Sequence, residues 1–232
     1  MTIADNLEHL HQQIHEACRR ANRSDSEVAL MAVTKVHPVE VILEAYAVGQ
    51  RLFGENRVQE FQEKSQHLTA LIDAQFHLIG PLQSNKTARA AELFHAIDAV
   101  DSLKIAQRLD AAAKGLGKTL PILVEVKLSH EESKHGLAPD ELPTLLAGIE
   151  SLESIQAVGL MTVPPWSEDA EFARPYFREL RRLRDQSGTS FPKLTQLSMG
   201  MSNDFQVAIE EGSTCVRVGT SIFGKRIMAN AG

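Results

Sequence analysis

The sequence predicts a (β/α)8 TIM barrel, and three observations predict it. Eight apolar, strand-like runs alternate with amphipathic helical stretches, a rhythm that calls for parallel strands joined by right-handed helical crossovers. The length, 232 residues, suits one such barrel, which commonly takes about 250 residues. Polar and small residues gather at the C-terminal ends of the runs, while the run bodies are aliphatic. That is the distribution of a barrel that keeps its chemistry on one rim. An open doubly wound sheet is the other architecture compatible with the alternation.

The elements follow in order. Ile3, Leu7, Leu10, Ile14 and Ala21 recur at helical spacing and give one apolar stripe. Thr2 is the expected N-cap, with Asp5 three residues on. This helix precedes every strand, so it is an extra N-terminal element at the outside or bottom of the barrel. The eight runs are 28–35, 51–56, 75–80, 96–102, 121–128, 155–163, 193–200 and 214–223. Between them the pattern predicts helices over 38–49, 57–68, 84–94, 102–115, 139–151, 167–186 and 202–212. Gly49 is a C-cap glycine, Pro139 begins its helix near the first turn, Pro175 kinks the longest helix, and Ser202 caps the last. LSHEESKHG (128–136) and VPPWSED (163–169) read as long loops after the fifth and sixth strands. With no linker rich in Pro, Gly or Ser, residues 1–232 are expected to form a single domain.

Composition narrows the function classes. The chain is 43% hydrophobic and 23% charged, with a formal net charge of −6. No basic excess exists to neutralise phosphates, so no nucleic-acid or membrane-surface binding is expected. No apolar run reaches the ~18 residues of a membrane span. The N-terminus lacks a signal pattern, and the expected compartment is the cytoplasm. Cys18 and Cys215 are not in a C-x-x-C pair and read as buried thiols.

The strand ends carry the candidate chemistry. Met31, Val33 and Lys35 share one face of the first strand. An amine held on the barrel side is desolvated, which lowers its pKa and suits it to condense with an aldehyde. The bland alternative is a lysine that snorkels to the rim and pairs with an acid. SMGMSND after the seventh strand and RVGTSIFG around the end of the eighth are small-residue turns. They occupy the positions where barrels often bind phosphate, and Ser198, Ser202, Gly219 and Thr220 are the expected donors. Two ordinary tight turns are the alternative. Arg217 points the same way as Gly219 and would donate to a ring nitrogen, or else pair with Glu55, Glu125 or Asp204. Asn56 would bond a ring hydroxyl, or else serve as a turn residue.

These segments also carry a likeness. VTKVHP (33–38), FGENRVQE (53–60), FHLIGPLQSNK (76–86), SKHG (133–136), GLMTV (159–163), LSMGMSND (197–204) and VRVGTSIFG (216–224) resemble the pyridoxal phosphate homeostasis proteins. That family is similar to the N-terminal barrel domain of alanine racemase, and the likeness runs from about residue 5 to residue 226. The resemblance implies that pyridoxal 5′-phosphate (PLP) is the cofactor, carried as a Schiff base on Lys35. It implies a phosphate held by Ser198, Gly200, Ser202, Gly219 and Thr220, Arg217 facing the pyridine nitrogen, and Asn56 near the ring. His77, Gln83, Asn85 and Lys86 match a family motif without an evident role.

The implied function is storage, buffering or transfer of PLP, with PLP-dependent apo-enzymes as possible recipients and a monomer as the expected state. The alternative is a monofunctional PLP-dependent amino-acid racemase or lyase of the same fold. An arginine only donates and stays charged, so it leaves the ring nitrogen unprotonated and the cofactor a weaker electron sink. In alanine racemase a tyrosine from a second domain of the partner subunit is the second base. The chain ends just after the barrel, and Tyr46 and Tyr176 fall on helices. A non-catalytic carrier is therefore expected. His11 and His15 stand four apart, a metal-like spacing without an evident third ligand, so no metal is expected. Lys134 and His135 read as a surface loop or as a transient dock for cofactor phosphate. RELRRLRDQ (178–186) reads as a solvated helix face.

Overall fold

The computed structural model describes residues 2–129, 131 and 135–224. Helix α1 (Ile3–Arg20) leads to β1 (Ala29–Val33), α2 (Val39–Ala47), β2 (Leu52–Glu55), α3 (Val58–Ser65) and β3 (Gln75–Leu78). α4 (Thr87–Leu93), β4 (Ala96–Val100), α5 (Leu103–Gly115), β5 (Leu120–Glu125), α6 (Leu142–Glu150) and β6 (Ile155–Met161) continue the alternation. It ends with α7 (Arg174–Gly188), β7 (Gln196–Met201), α8 (Phe205–Glu210), β8 (Cys215–Val218) and α9 (Thr220–Phe223). The strands pair in parallel in sequence order, and β1 pairs with both β2 (Ala32↔Phe53) and β8 (Met31↔Arg217), which closes the barrel.

Strand alternation sorts the side chains into two environments. Leu30, Ala32, Phe53, Phe76, Ile97 and Val216 face outward and join the large core under the helices. Ala99, Leu123 and Met161 form a separate apolar cluster. The outer core is densest beneath α3, where Phe61 lies 4.7 Å from both Phe76 and Phe94, and Phe76 stacks on Phe53 at 5.2 Å. Tilted and offset pairs at these separations add to the area they bury.

The extra helix α1 packs on α8 and α9, so it lies on the barrel's side. Thr2 and Asp5 form the expected capping box, Leu7, Leu10 and Ile14 are buried, and Asn6 Nδ2 donates to Ile222 O at 2.8 Å.

Most strands are shorter than the runs that predicted them, β1 ending at Val33 and β6 at Met161, and other local expectations also differ from the structure. Pro175 does not kink a long helix. A 3-10 turn at Ala170–Ala173 precedes α7, and Pro175 stands in the first turn of α7, where its missing N–H costs nothing. The run 214–223 is not one strand: β8 stops at Val218, and a single helical turn follows Gly219. The fifth strand ends at Glu125, three residues short of the expected 128. Asp204, not Ser202, is the N-cap residue of α8.

The basic run of α7 is largely paired. Arg174 reaches Glu171, Glu210 and Glu211, Arg178 reaches Glu211, and Arg182 reaches Glu179. Among the described residues no helix is long and apolar enough to cross a membrane. Truncating Phe61 to Ala removes the centre of the aromatic stack. It should lower the unfolding free energy by about 3–5 kcal/mol, read from urea denaturation followed by circular dichroism.

Candidate functional site

The C-terminal ends of the strands surround a cavity of about 500 Å3. Val33 lines it from the end of β1 and Lys35 from the turn after it, Asn56 from just after β2, Ser202 from the turn after β7, and Gly219 and Thr220 from the turn after β8. Arg217 lines it from within β8. Six of the eight sequence-chosen residues therefore share one cavity wall: Lys35, Asn56, Ser202, Arg217, Gly219 and Thr220.

Arg217 is 4% exposed. Its Nη1 donates to Ser198 Oγ and its Nη2 to Thr162 O, both at 2.8 Å. Thr162 Oγ1 in turn donates to Val126 O at 2.9 Å, so the guanidinium is braced across β5, β6 and β7. Burial presses its pKa down, and the nearby charges of Asp98, Glu125 and Asp204 oppose that. The carboxylate pairing considered for Arg217 is thus replaced by neutral acceptors in direct contact, with the carboxylates acting through their charge. Glu55 points out of the barrel instead, toward Lys64.

Ser198 and Gly200 do not line the cavity. Ser198 is fully buried and its hydroxyl is taken by Arg217. Gly200 has φ +94°, and a Cβ there would lie 2.5 Å from Ala208 Cβ. It lets the end of β7 pass against α8. Both residues support the wall from behind. Gly80 does similar work beside Asn56, since a Cβ on it would fall 2.3 Å from Asn56 O.

The turns after β7 and β8 leave donors available. Among the described residues, the backbone N–H groups of Ser202, Gly219 and Thr220 donate to no protein acceptor. Asp204 folds back so that its Oδ1 accepts from Met201 N at 2.6 Å, and burial raises the pKa of its carboxyl.

Sequence reasoning missed part of the rim. Trp166, 75% exposed, lines the cavity from the loop after β6, and Asn203 Nδ2 donates to Ser167 O at 2.9 Å, tying that loop to the turn after β7. Glu125, considered earlier only as a partner for Arg217, lines the wall itself. The signal for it was present in the alternation Leu123, Glu125 once the strand end is placed correctly. His135 also lines the cavity, while Lys134 lies outside the described residues.

The remaining candidates fall elsewhere. His77 Nδ1 bonds Asp98 Oδ1 at 3.1 Å, and Gln83, Asn85 and Lys86 lie at a 3-10 turn leading into α4. Tyr46 bonds Asp73, and Tyr176 packs on Phe172. His15 Nδ1 bonds Asp25 Oδ2 at 2.7 Å. Cys18 and Cys215 are free, and burial pushes the Cys215 thiol up to about 12.

Comparison with known proteins places this geometry among relatives. The family model "Alanine racemase, N-terminal domain" matches residues 6–226. The pyridoxal phosphate homeostasis protein of Aquifex aeolicus is 40% identical over 227 residues, covering 97% of this chain and 99% of that one. PipY of Synechococcus elongatus PCC7942, solved without PLP, superposes with a TM-score of 0.87 at 41% identity over 96% of this chain and 100% of that one. The same protein with PLP bound gives a TM-score of 0.85 at 40% identity over the same shares.

Gly200→Ala should cost about 1–3 kcal/mol of stability, because it combines left-handed backbone with a clash. Gly188→Ala, with open space around the new methyl, should not destabilise. Parallel urea titrations of the two variants check the contrast.

Proposed function

The chain belongs to the pyridoxal phosphate homeostasis protein family, and on that premise we propose that it binds pyridoxal 5′-phosphate in the cavity at the strand ends, with Lys35 as the covalent anchor. The observation that carries this reading is the grouping of Lys35, Arg217 and the donor turns after β7 and β8 around one cavity of about 500 Å3, within the usual range for cofactor-sized ligands.

The donor set fits the group. The N–H groups of Ser202, Gly219 and Thr220, without protein acceptors among the described residues, suit a phosphate. Arg217 uses two of its five donors on Ser198 and Thr162, which leaves others for a pyridine nitrogen. Asn56 is placed to bond a ring substituent, and Lys35 supplies the amine. When bound, the cofactor would supply an aldehyde able to condense with an uncharged primary amine with loss of water, and Lys35 would be that amine.

The chain's own groups favour holding over turnover. Arg217 keeps a ring nitrogen unprotonated, which weakens carbanion stabilisation. Neither Tyr46 nor Tyr176 lines the cavity, so neither supplies a second base. Among the described residues, Glu125, His135 and Asp204 are the other ionisable groups on the wall. Handing the cofactor on to PLP-dependent apo-enzymes is the use this binding would serve. The purified protein should absorb in the near-visible, and borohydride should fix the label on Lys35, located by peptide mass spectrometry. Label on another lysine refutes the assignment. Exchange of the α-proton of alanine, serine or threonine in deuterated buffer should stay well below ~1 per second; faster exchange favours a racemase or lyase.

A further inference from the structure

Lys35 stands between two residues that are held from outside the barrel. Thr34 Oγ1 donates to Glu55 Oε1 at 2.7 Å. Lys64, on α3, spends its three N–H donors on Thr34 O at 3.0 Å, Glu55 Oε1 at 2.9 Å and Glu60 Oε1 at 2.7 Å. Glu60 Oε1 also accepts from Val36 N at 2.6 Å. Both neighbours of Lys35 are therefore fastened to one ammonium and its two carboxylates. Glu55 and Lys64 are buried, with side-chain exposures of 0% and 9%, while Glu60 is 25% exposed.

Two unfavourable features coincide there. Val36 has φ +60°, a left-handed conformation that a β-branched side chain resists. Glu55 Oε2 is buried without a hydrogen-bond partner among the described residues, and burial raises the Glu55 pKa while Lys64 lowers it. Strain of this kind persists only where surrounding structure over-determines it, and it gathers where geometry has to be held. Breaking a buried ion pair on one side leaves the other charge uncompensated, so the Glu55–Lys64–Glu60 cluster holds as a unit.

We propose that Lys64 is a positioning residue for Lys35: with Glu55 and Glu60 it holds the Thr34–Val36 turn in its strained form and so aims the Lys35 amine into the cavity. The cluster does not line the cavity and acts only through the backbone on either side of Lys35. The inference rests on the reading of Lys35 as the covalent anchor.

The test separates the covalent step from pocket binding. Pyridoxine 5′-phosphate lacks the aldehyde, so its affinity reports the pocket alone. The rate of borohydride-trappable label appearing on Lys35 after mixing apo-protein with pyridoxal 5′-phosphate reports amine placement. In Lys64→Met the trapping rate should fall at least about tenfold, as misplacing a reacting group does, while pyridoxine 5′-phosphate affinity changes by less than about twofold. Glu60→Ala, at a half-exposed position, should show the same split in milder form and serves if Lys64→Met does not fold. Trapping at the wild-type rate, or equal loss of both readouts, overturns the inference alone. Wild-type protein that takes label on another lysine overturns the anchor assignment and this inference with it.

Discussion

A full positive charge sits inside the barrel on Arg217, and much of the surrounding structure serves to keep it there. Removing an ion from water costs several kcal/mol even after relaxation. The cost is met by Ser198 Oγ and Thr162 O at hydrogen-bond distance and by the charges of Asp98, Glu125 and Asp204 farther out. Those groups come from β4, β5, β6, β7 and the start of α8. A guanidinium cannot accept a hydrogen bond or give up its proton, so one wall of the cavity is fixed as a donor.

The pleat of β1 divides the remaining work. Thr34 and Lys35 are adjacent in sequence, yet Thr34 bonds the buried Glu55 while Lys35 lines the cavity. One strand end thus serves a structural polar cluster and a reactive rim. The ends of β7 and β8 are built differently, with glycines at 200 and 219 and the buried Ser213 hydroxyl donating to the carbonyls of Leu197, Met199 and Cys215. Gly219 stands close against β1, where an added Cβ would lie 3.1 Å from Val33 O.

Much of this is legible in the sequence. The eight strands and the inward face of Lys35 follow from period-two alternation, and Arg217 follows from its spacing to Gly219. Ser198 and Gly200 were expected among the phosphate donors because their motif surrounds the turn. Which residue of a turn faces a cavity depends on a register shift between Ser198 and Met201 in the β7–β8 pairing, and no single sequence displays that. Pro175 was read as a kink because it falls inside the helical stretch expected over 167–186, while the helix itself starts after a local 3-10 turn. The Glu55–Lys64 pair was invisible for another reason. Its members lie nine residues apart on a strand and a helix, and only the packing of α3 on the barrel brings them together. That Lys35, Arg217 and the turns after β7 and β8 share one cavity is visible only once the barrel has closed.

The bond from Asn6 to Ile222 O joins residues 216 positions apart, and β1 completes its pairing only with β8. A ribosome adding roughly 5–20 residues per second needs on the order of 10–40 s to cover that separation. Throughout that interval α1 and one edge of β1 have been made and still lack α8, α9 and β8, their late partners. Contacts this distant in sequence also slow folding, because chain closure precedes their reward. The seam between β8 and β1, with the turn that follows β8, is therefore the last part of the barrel to be sealed during synthesis.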